Sequence, residues 1–231
     1  MPDHTVKYYD DDLMEIGRKF AEMGGIAESM LSNLITALVK GDTVLAQRVI
    51  ATDPRLDALE REVEEKATLT IAKRQPMAID LRAIVSAIRI ASDLERIGDL
   101  AKNVGKRVVA IDGQFAPQKI VGGVVHISDL ALDRMKRVLD AYAQRDDAAA
   151  MDVWRHDEEI DNLYNSLFRE LLTYMMEDPR TISPSLNLLF LAKAIERVGD
   201  HAKNIAESTI YVAKGEDVRH LPLSDRELNA R

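Results

Sequence analysis

Apolar residues recur along this chain at steps of three and four. Ile84, Ile88, Ala91 and Leu94 trace one such row, Leu56, Leu59 and Val63 a second, and Ile160, Leu163 and Leu167 a third. That period is the one an amphipathic α-helix needs to bury a single face. Strands find little support, since aromatics make up only 5% of the residues. Breakers punctuate the pattern at Gly24-Gly25, Gly41-Asp42, Gln75-Pro76, Asp112-Gly113, Pro117, Gly122-Gly123, Pro179, Pro184 and Gly215. Together these signals predict six helices, at about 9–40, 42–74, 78–112, 119–145, 147–177 and 184–214. Asp53-Pro54 is expected to kink or restart the second helix, because Asp suits an N-cap and Pro the first helical position. Helices of roughly 30 residues reach about 45 Å, so the bundles they form are elongated.

The chain also repeats itself. Glu95-Arg96-Ile97-Gly98-Asp99-Leu100-Ala101-Lys102-Asn103 returns as Glu196-Arg197-Val198-Gly199-Asp200-His201-Ala202-Lys203-Asn204, with seven of nine positions identical. Asp53-x-x-Leu56-Asp57-x-Leu59 likewise returns as Asp157-x-x-Ile160-Asp161-x-Leu163. The offset is 104 residues for the second pair of segments and for Asp42 and Asp146, and 101 for the first pair. A three-residue difference of this kind belongs in a connection, where length changes cost little. The predicted fold is therefore all-α, two tandem and homologous three-helix bundles. Residues 1–115 form the first, 116–215 the second, and 216–231 a C-terminal tail with no counterpart in the first half, which is expected to be mobile.

Each half repeats two Asp/Glu-x-x-x-Asp pairs. These are Asp53/Asp57 and Glu95/Asp99 in the first half, and Asp157/Asp161 and Glu196/Asp200 in the second. Residues at i and i+4 share a helix face, where two carboxylates repel by a few tenths of a kcal/mol. A cation between them reverses that sign. If the second and third helices of a bundle lie side by side, four carboxylates converge on one patch. Gly98 and Gly199 would let a neighbouring helix or a ligand approach closely. An all-oxygen site suits hard cations such as Mg²⁺, Mn²⁺, Ca²⁺ or Fe³⁺, whereas zinc normally recruits His or Cys. The other reading is structural. Arg96 and Arg197 would neutralise the carboxylates across helices, as ordinary ion pairs of small value. Spacing alone leaves both readings open.

None of the five histidines follows a Glu by three residues, so the Glu-x-x-His pattern of ferritin-like oxidases is missing. His156 and His201 are either peripheral ligands or packing residues, and Trp154 is read as core or interface. There is no phosphate-cradling Gly-rich loop, no Gly-x-Ser-x-Gly elbow and no Cys, so the chain is read as a non-enzyme. A purely structural helical adaptor is the remaining alternative.

The 31 basic against 39 acidic residues leave a net charge of −8, which disfavours a nucleic-acid partner. The acidic N-terminus lacks the apolar core of a signal peptide, and no apolar run approaches the ~20 residues that span a bilayer. Membrane insertion is not expected. With no cysteine in 231 residues, a cytoplasmic setting fits.

Two three-helix units, each with paired carboxylates on its second and third helices and the Glu-Arg-x-Gly-Asp-x-Ala-Lys-Asn run, resemble the PhoU family of bacterial phosphate-transport accessory proteins. The resemblance covers roughly residues 7–214. It implies metal clusters of iron, zinc, manganese or magnesium. Carried over by position, the first would be held by Asp53, Asp57, Glu95 and Asp99, the second by Asp157, Asp161, Glu196 and Asp200. Pro54, beside Asp53, departs from the pattern. The resemblance further implies a cytoplasmic negative regulator of phosphate uptake and of the phosphate-starvation response. Its partners would be a phosphate-sensing histidine kinase and the ATPase of the phosphate ABC transporter, and it would form a homodimer.

Overall fold

A computed structural model describes the backbone of residues 3–111 and 118–219, and side chains within 11–110 and 120–219. Seven α-helices and one 3₁₀ turn follow in order: α1 (Asp3–Lys40), α2 (Thr43–Arg74), α3 (Ile79–Ile111), α4 (Gln118–Gln144), α5 (Asp147–Arg155), α6 (Glu158–Glu177), the turn Pro179–Thr181, and α7 (Ile182–Lys214). There is no strand among the described residues. The expected boundary between the halves, 115/116, and the tail beyond 219 lie outside them. At the start of that tail Val218 is buried and Asp217 pairs with Arg219.

In the first bundle α1, α2 and α3 pack on one another; in the second, α4 and α7 pack together with the α5–α6 segment. The two bundles meet where α3 lies along α7, and α1 touches α4. Helices α3 and α7 run antiparallel. Arg107 near the end of α3 stacks over Phe190 near the start of α7, and His201 meets Asp93. One continuous apolar core runs through both bundles, including Leu56, Leu59 and Val63 on α2 and Ile160 and Leu167 on α6. Full burial of one such side chain stabilises by about 1.5–3 kcal/mol. Leu163 and Ile88 are only partly buried.

The repeat is legible in the helix starts. Asp42 accepts a hydrogen bond from the Leu45 backbone N–H at 2.9 Å, and Asp146 accepts from Ala148 and Ala149 at 3.0 Å. Both cap otherwise unsatisfied donors. Three expectations need correction. Helix α1 begins at Asp3, not near residue 9; the acidic run continues it, and Asp12 anchors it by pairing with Lys66 and Arg74 of α2. Helix α2 does not restart at Pro54, which sits inside it. Instead the single helix expected at 147–177 breaks at His156-Asp157, the aligned position of the second half. There the His156 ring bonds the Asp152 carbonyl oxygen at 2.8 Å, and Ile160 N–H reaches back only three residues, to Asp157. Asp157 makes no side-chain cap, because its carboxylate is bound by Lys203.

Gly24 and Gly123, read as breakers, lie inside α1 and α4 and face Leu139 and Leu167. Two tighter glycine contacts hold the facing helices together. A Cβ on Gly98 would lie 2.4 Å from Leu56 Cδ1, and one on Gly199 would lie 2.8 Å from Ile160 Cδ1. Leu56 and Ile160 are repeat counterparts, as are Gly98 and Gly199. In each bundle an aliphatic knob thus seats on a glycine of the facing helix. Gly98→Ala should lower stability by about 1–3 kcal/mol from overpacking, although alanine gains about 1 kcal/mol of helix propensity. Urea unfolding checks this. Leu56→Ala should cost less in the Gly98→Ala background than in the wild type, since it removes the colliding methyl group.

Candidate metal centre

The knob contacts set α2 against α3 and α6 against α7, so the carboxylates flanking them face one another across each pair. In the second bundle, one oxygen each from Asp161, Glu196 and Asp200 lies within 4.8 Å of the others. Glu196 is 8% exposed; its Oε1 accepts from Lys193 Nζ at 2.6 Å, while its Oε2 is buried with no hydrogen-bond partner. Burial, then the neighbouring Glu196 carboxylate, holds both Asp161 and Asp200 above the usual carboxylate range. Asp157 is outside this trio and bonded to Lys203, though its charge adds to the rise of Asp161.

The first bundle has the same scaffold with different charges. Asp53 is 4% exposed and bonded to Lys102 Nζ at 2.6 Å, and the same ammonium reaches Asp99. The hydrogen bonds to Asp53 and Asp99 hold the Lys102 ammonium firmly in its charged form. Glu95 is pushed up by burial, then by the Asp99 and Glu60 carboxylates. Glu60, one turn on from Asp57 along α2, is pushed up by burial as well, against a hydrogen bond from Ser92. Asp57 adds its charge to both.

Of the eight carboxylates expected from the sequence, Asp161, Glu196 and Asp200 are brought together. Asp57, Glu95 and Asp99 share a field with Glu60, and Asp53 and Asp157 are engaged by lysines. Glu60 was missed, and the repeat explains why: 104 residues on stands Tyr164, so the acid has no counterpart. The same holds for Lys193, which lies 101 residues on from Ser92. Its Nζ sits 5.2 Å from the Tyr164 ring centroid. The first set therefore carries an extra carboxylate and the second an extra ammonium.

Of the two arginines expected to neutralise these faces, Arg96 does so in part, its charge opposing the rise of Glu95 and, across the helix pair, of Glu60. Arg96 lies 3.7 Å from its own neighbour Glu95, and Arg197 has no carboxylate partner among the described residues. Neither His156 nor His201 joins the carboxylate trio; His156 is exposed and bonds the Asp152 carbonyl oxygen. His201 Nδ1 lies 2.9 Å from Asp93 Oδ1 across the bundle interface, where Asn204 also donates to Asp93. Trp154 is buried, with Nε1 donating to Glu207 Oε1 at 3.0 Å.

The PhoU domain model matches residues 20–108 and 124–209. A phosphate-specific transport system accessory protein PhoU homolog of Rhizobium meliloti is 55% identical over 212 residues, 92% of this chain and 90% of that protein. A homolog so named from Caulobacter vibrioides is 48% identical over 218 residues, 94% and 95% of the two chains. The crystal structure of PhoU from Pseudomonas aeruginosa superposes with a TM-score of 0.87 at 37% identity, over 90% of this chain and all of that one. The phosphate transport system regulatory protein PhoU from Streptococcus pneumoniae gives 0.84 at 26% identity, over 91% and 99%.

The raised carboxylates make a pH prediction. A group whose folded-state pKa is raised stabilises the fold below its unfolded pKa, and that stability is lost as pH rises through the folded value. In chelator at neutral pH, Glu95→Gln should therefore stabilise the protein, by a few tenths of a kcal/mol if the gain is one like-charge repulsion. The gain should shrink toward zero as pH falls through the carboxylate range of about 4–5. Thermal unfolding of both proteins across that range checks the sign.

Proposed function

The chain belongs to the PhoU domain family, and from that premise we propose that it is a non-enzymatic accessory protein of the phosphate transport system. In this reading it restrains phosphate uptake and the phosphate-starvation response through contacts with the transporter ATPase and the phosphate-sensing histidine kinase. It works in the cytoplasm, as a homodimer of two-bundle chains. No helix among the described residues is long and apolar enough to cross a membrane, so the contact with a transporter would be made from outside the bilayer.

Divalent cations or iron fit the carboxylate faces, and the observation that carries this is the orphaned Glu196 Oε2. A buried carboxylate oxygen without a partner is costly, and an ion held between Asp161, Glu196 and Asp200 would satisfy it. Asp57, Glu60, Glu95 and Asp99 would hold the ion of the first bundle, with Asp53 and Asp157 released from their lysines only if further ligands are needed. A bound cation supplies positive charge and oxygen coordination. The chain's own residues do the rest: they hold two helices in register and fix the charge of the face a partner meets.

The charge difference between the bundles orders their loading. Each set has a lysine on one of its ligands for an incoming ion to displace, Lys193 on Glu196 and Lys102 on Asp99, but the first set holds one more carboxylate. Lys193→Ala should raise the affinity of the second set for Mn²⁺ by about tenfold or more, the size of one lost charge–charge opposition of ~1.4 kcal/mol. A metal titration of wild type and variant reads this directly.

The regulatory reading is tested by capture on the immobilised transporter ATPase and on the cytoplasmic part of the kinase. The metal-loaded wild type should bind at least one of them, and Asp161→Asn/Glu196→Gln/Asp200→Asn should bind markedly less. Equal capture of the variant would remove the metal from the mechanism. Failure of the wild type to bind either would overturn the proposed partnership.

A further inference from the structure

On the outer side of the bundle interface, the second half of α3 and the first half of α7 enclose a groove of about 520 Å³. Lys106 and Arg107 of α3 and Lys193 and Arg197 of α7 line it, together with Asn103 and Phe190. No carboxylate is among the described residues that line it. Four cations gathered on one surface of a chain with net charge −8 are a local inversion of the molecule's field. Lys193 is paired with Glu196, but Lys106 and Arg197 have no carboxylate partner among the described residues. Arg107 is committed only to the Phe190 ring, 4.2 Å from its guanidinium carbon.

The groove continues into apolar surface. Ile182, Leu186 and Phe190 are 41%, 40% and 50% exposed. At i, i+4 and i+8 they form a stripe along the first turns of α7 that ends where the cations begin. Leu100 and Val104 form the apolar floor beneath the cations. A surface with basic side chains beside an apolar stripe at helical spacing fits one chemistry well. Its complement is an amphipathic helix whose apolar face carries residues every fourth position and whose flank is acidic. A nucleic acid would use the cations but leave the stripe bare.

We propose that the α3–α7 groove of Lys106, Arg107 and Arg197, with the Ile182–Leu186–Phe190 stripe, is the docking site for an acidic amphipathic helix of a protein partner. The net negative charge elsewhere on the chain repels such a helix, so encounter is steered to this face. Because Lys193 also touches Glu196, the groove borders the second carboxylate set. Docking itself needs no metal.

The probe is a fluorescein-labelled helical peptide of glutamates with a leucine at every fourth position, read by fluorescence anisotropy. Chelator-treated wild type should bind it, and binding should weaken as salt is raised. Arg107→Glu/Arg197→Glu should weaken it at least tenfold. Phe190→Ala should weaken it while leaving the salt dependence in place, and both variants should keep their melting temperature within a few degrees. Equal binding by the charge-reversed variant, with its fold intact, would overturn the site. Equal competition by poly-glutamate or a single-stranded oligonucleotide would overturn the helix as occupant. Loss of self-association in sedimentation, without loss of peptide binding, would assign the groove to a second copy of the chain instead.

Discussion

A Cβ at residue 98 would lie 2.4 Å from Leu56 Cδ1, and one at residue 199 would lie 2.8 Å from Ile160 Cδ1. Only glycine permits so close an approach of helix axes, and the carboxylates sit one residue or one turn away from these contacts. Asp57 and Asp161 directly follow the aliphatic knobs; Asp99 and Asp200 directly follow the glycines. Apolar packing energy, which the knobs supply, thus holds like charges together against their mutual repulsion. Burial first, and the neighbouring carboxylates after it, hold Glu60, Glu95, Asp161 and Asp200 above the usual carboxylate range. A protein that spends packing energy on gathering acids leaves room for a cation, or for lysines, to relieve the strain.

Lysines relieve part of it already. Lys102 and Lys203 hold repeat-equivalent positions and take the repeat-equivalent Asp53 and Asp157 out of the acidic faces. The two readings that spacing leaves open therefore divide between different residues, the ion pairs observed and the metal site proposed. Asp53 and Asp157 behave as ion-pair residues, whereas Asp161, Glu196 and Asp200 form a compact donor set with an unpartnered buried oxygen. Divergence after duplication then separated the bundles. One replaced a ring by a carboxylate, or the reverse, at Glu60 and Tyr164, and the other placed Lys193 where Ser92 stands.

Much of the fold was legible in the sequence because period and punctuation agree. The helix ends at Arg74, Ile111 and Lys214 fall within a residue of the positions the breakers mark. The failures are local and physical. Pro54 was given more weight than α2 gives it, since a helix held on both sides by α1 and α3 tolerates one missing N–H. The break at His156-Asp157 is marked by no Gly or Pro; there His156 bonds a carbonyl of its own helix, and Asp157 is engaged across the bundle by Lys203. At the site, repetition picked out the helices and the faces. It could not pick out Glu60 or Lys193, since any feature present in one copy only is invisible to a comparison of copies. Glu60 was still findable as an acid one turn beyond Asp57, on the face that the Asp53/Asp57 pair defines.

The central claim is that the paired helices present oxygen ligands to a cation. Anomalous diffraction at the manganese edge, from crystals grown in Mn²⁺, tests this most directly. A peak at bonding distance from Asp161, Glu196 and Asp200, with Lys193 withdrawn from Glu196, is the predicted result. No anomalous density there, with Lys193 still bonded to Glu196, would contradict it and leave the acidic faces as ion-pair surfaces.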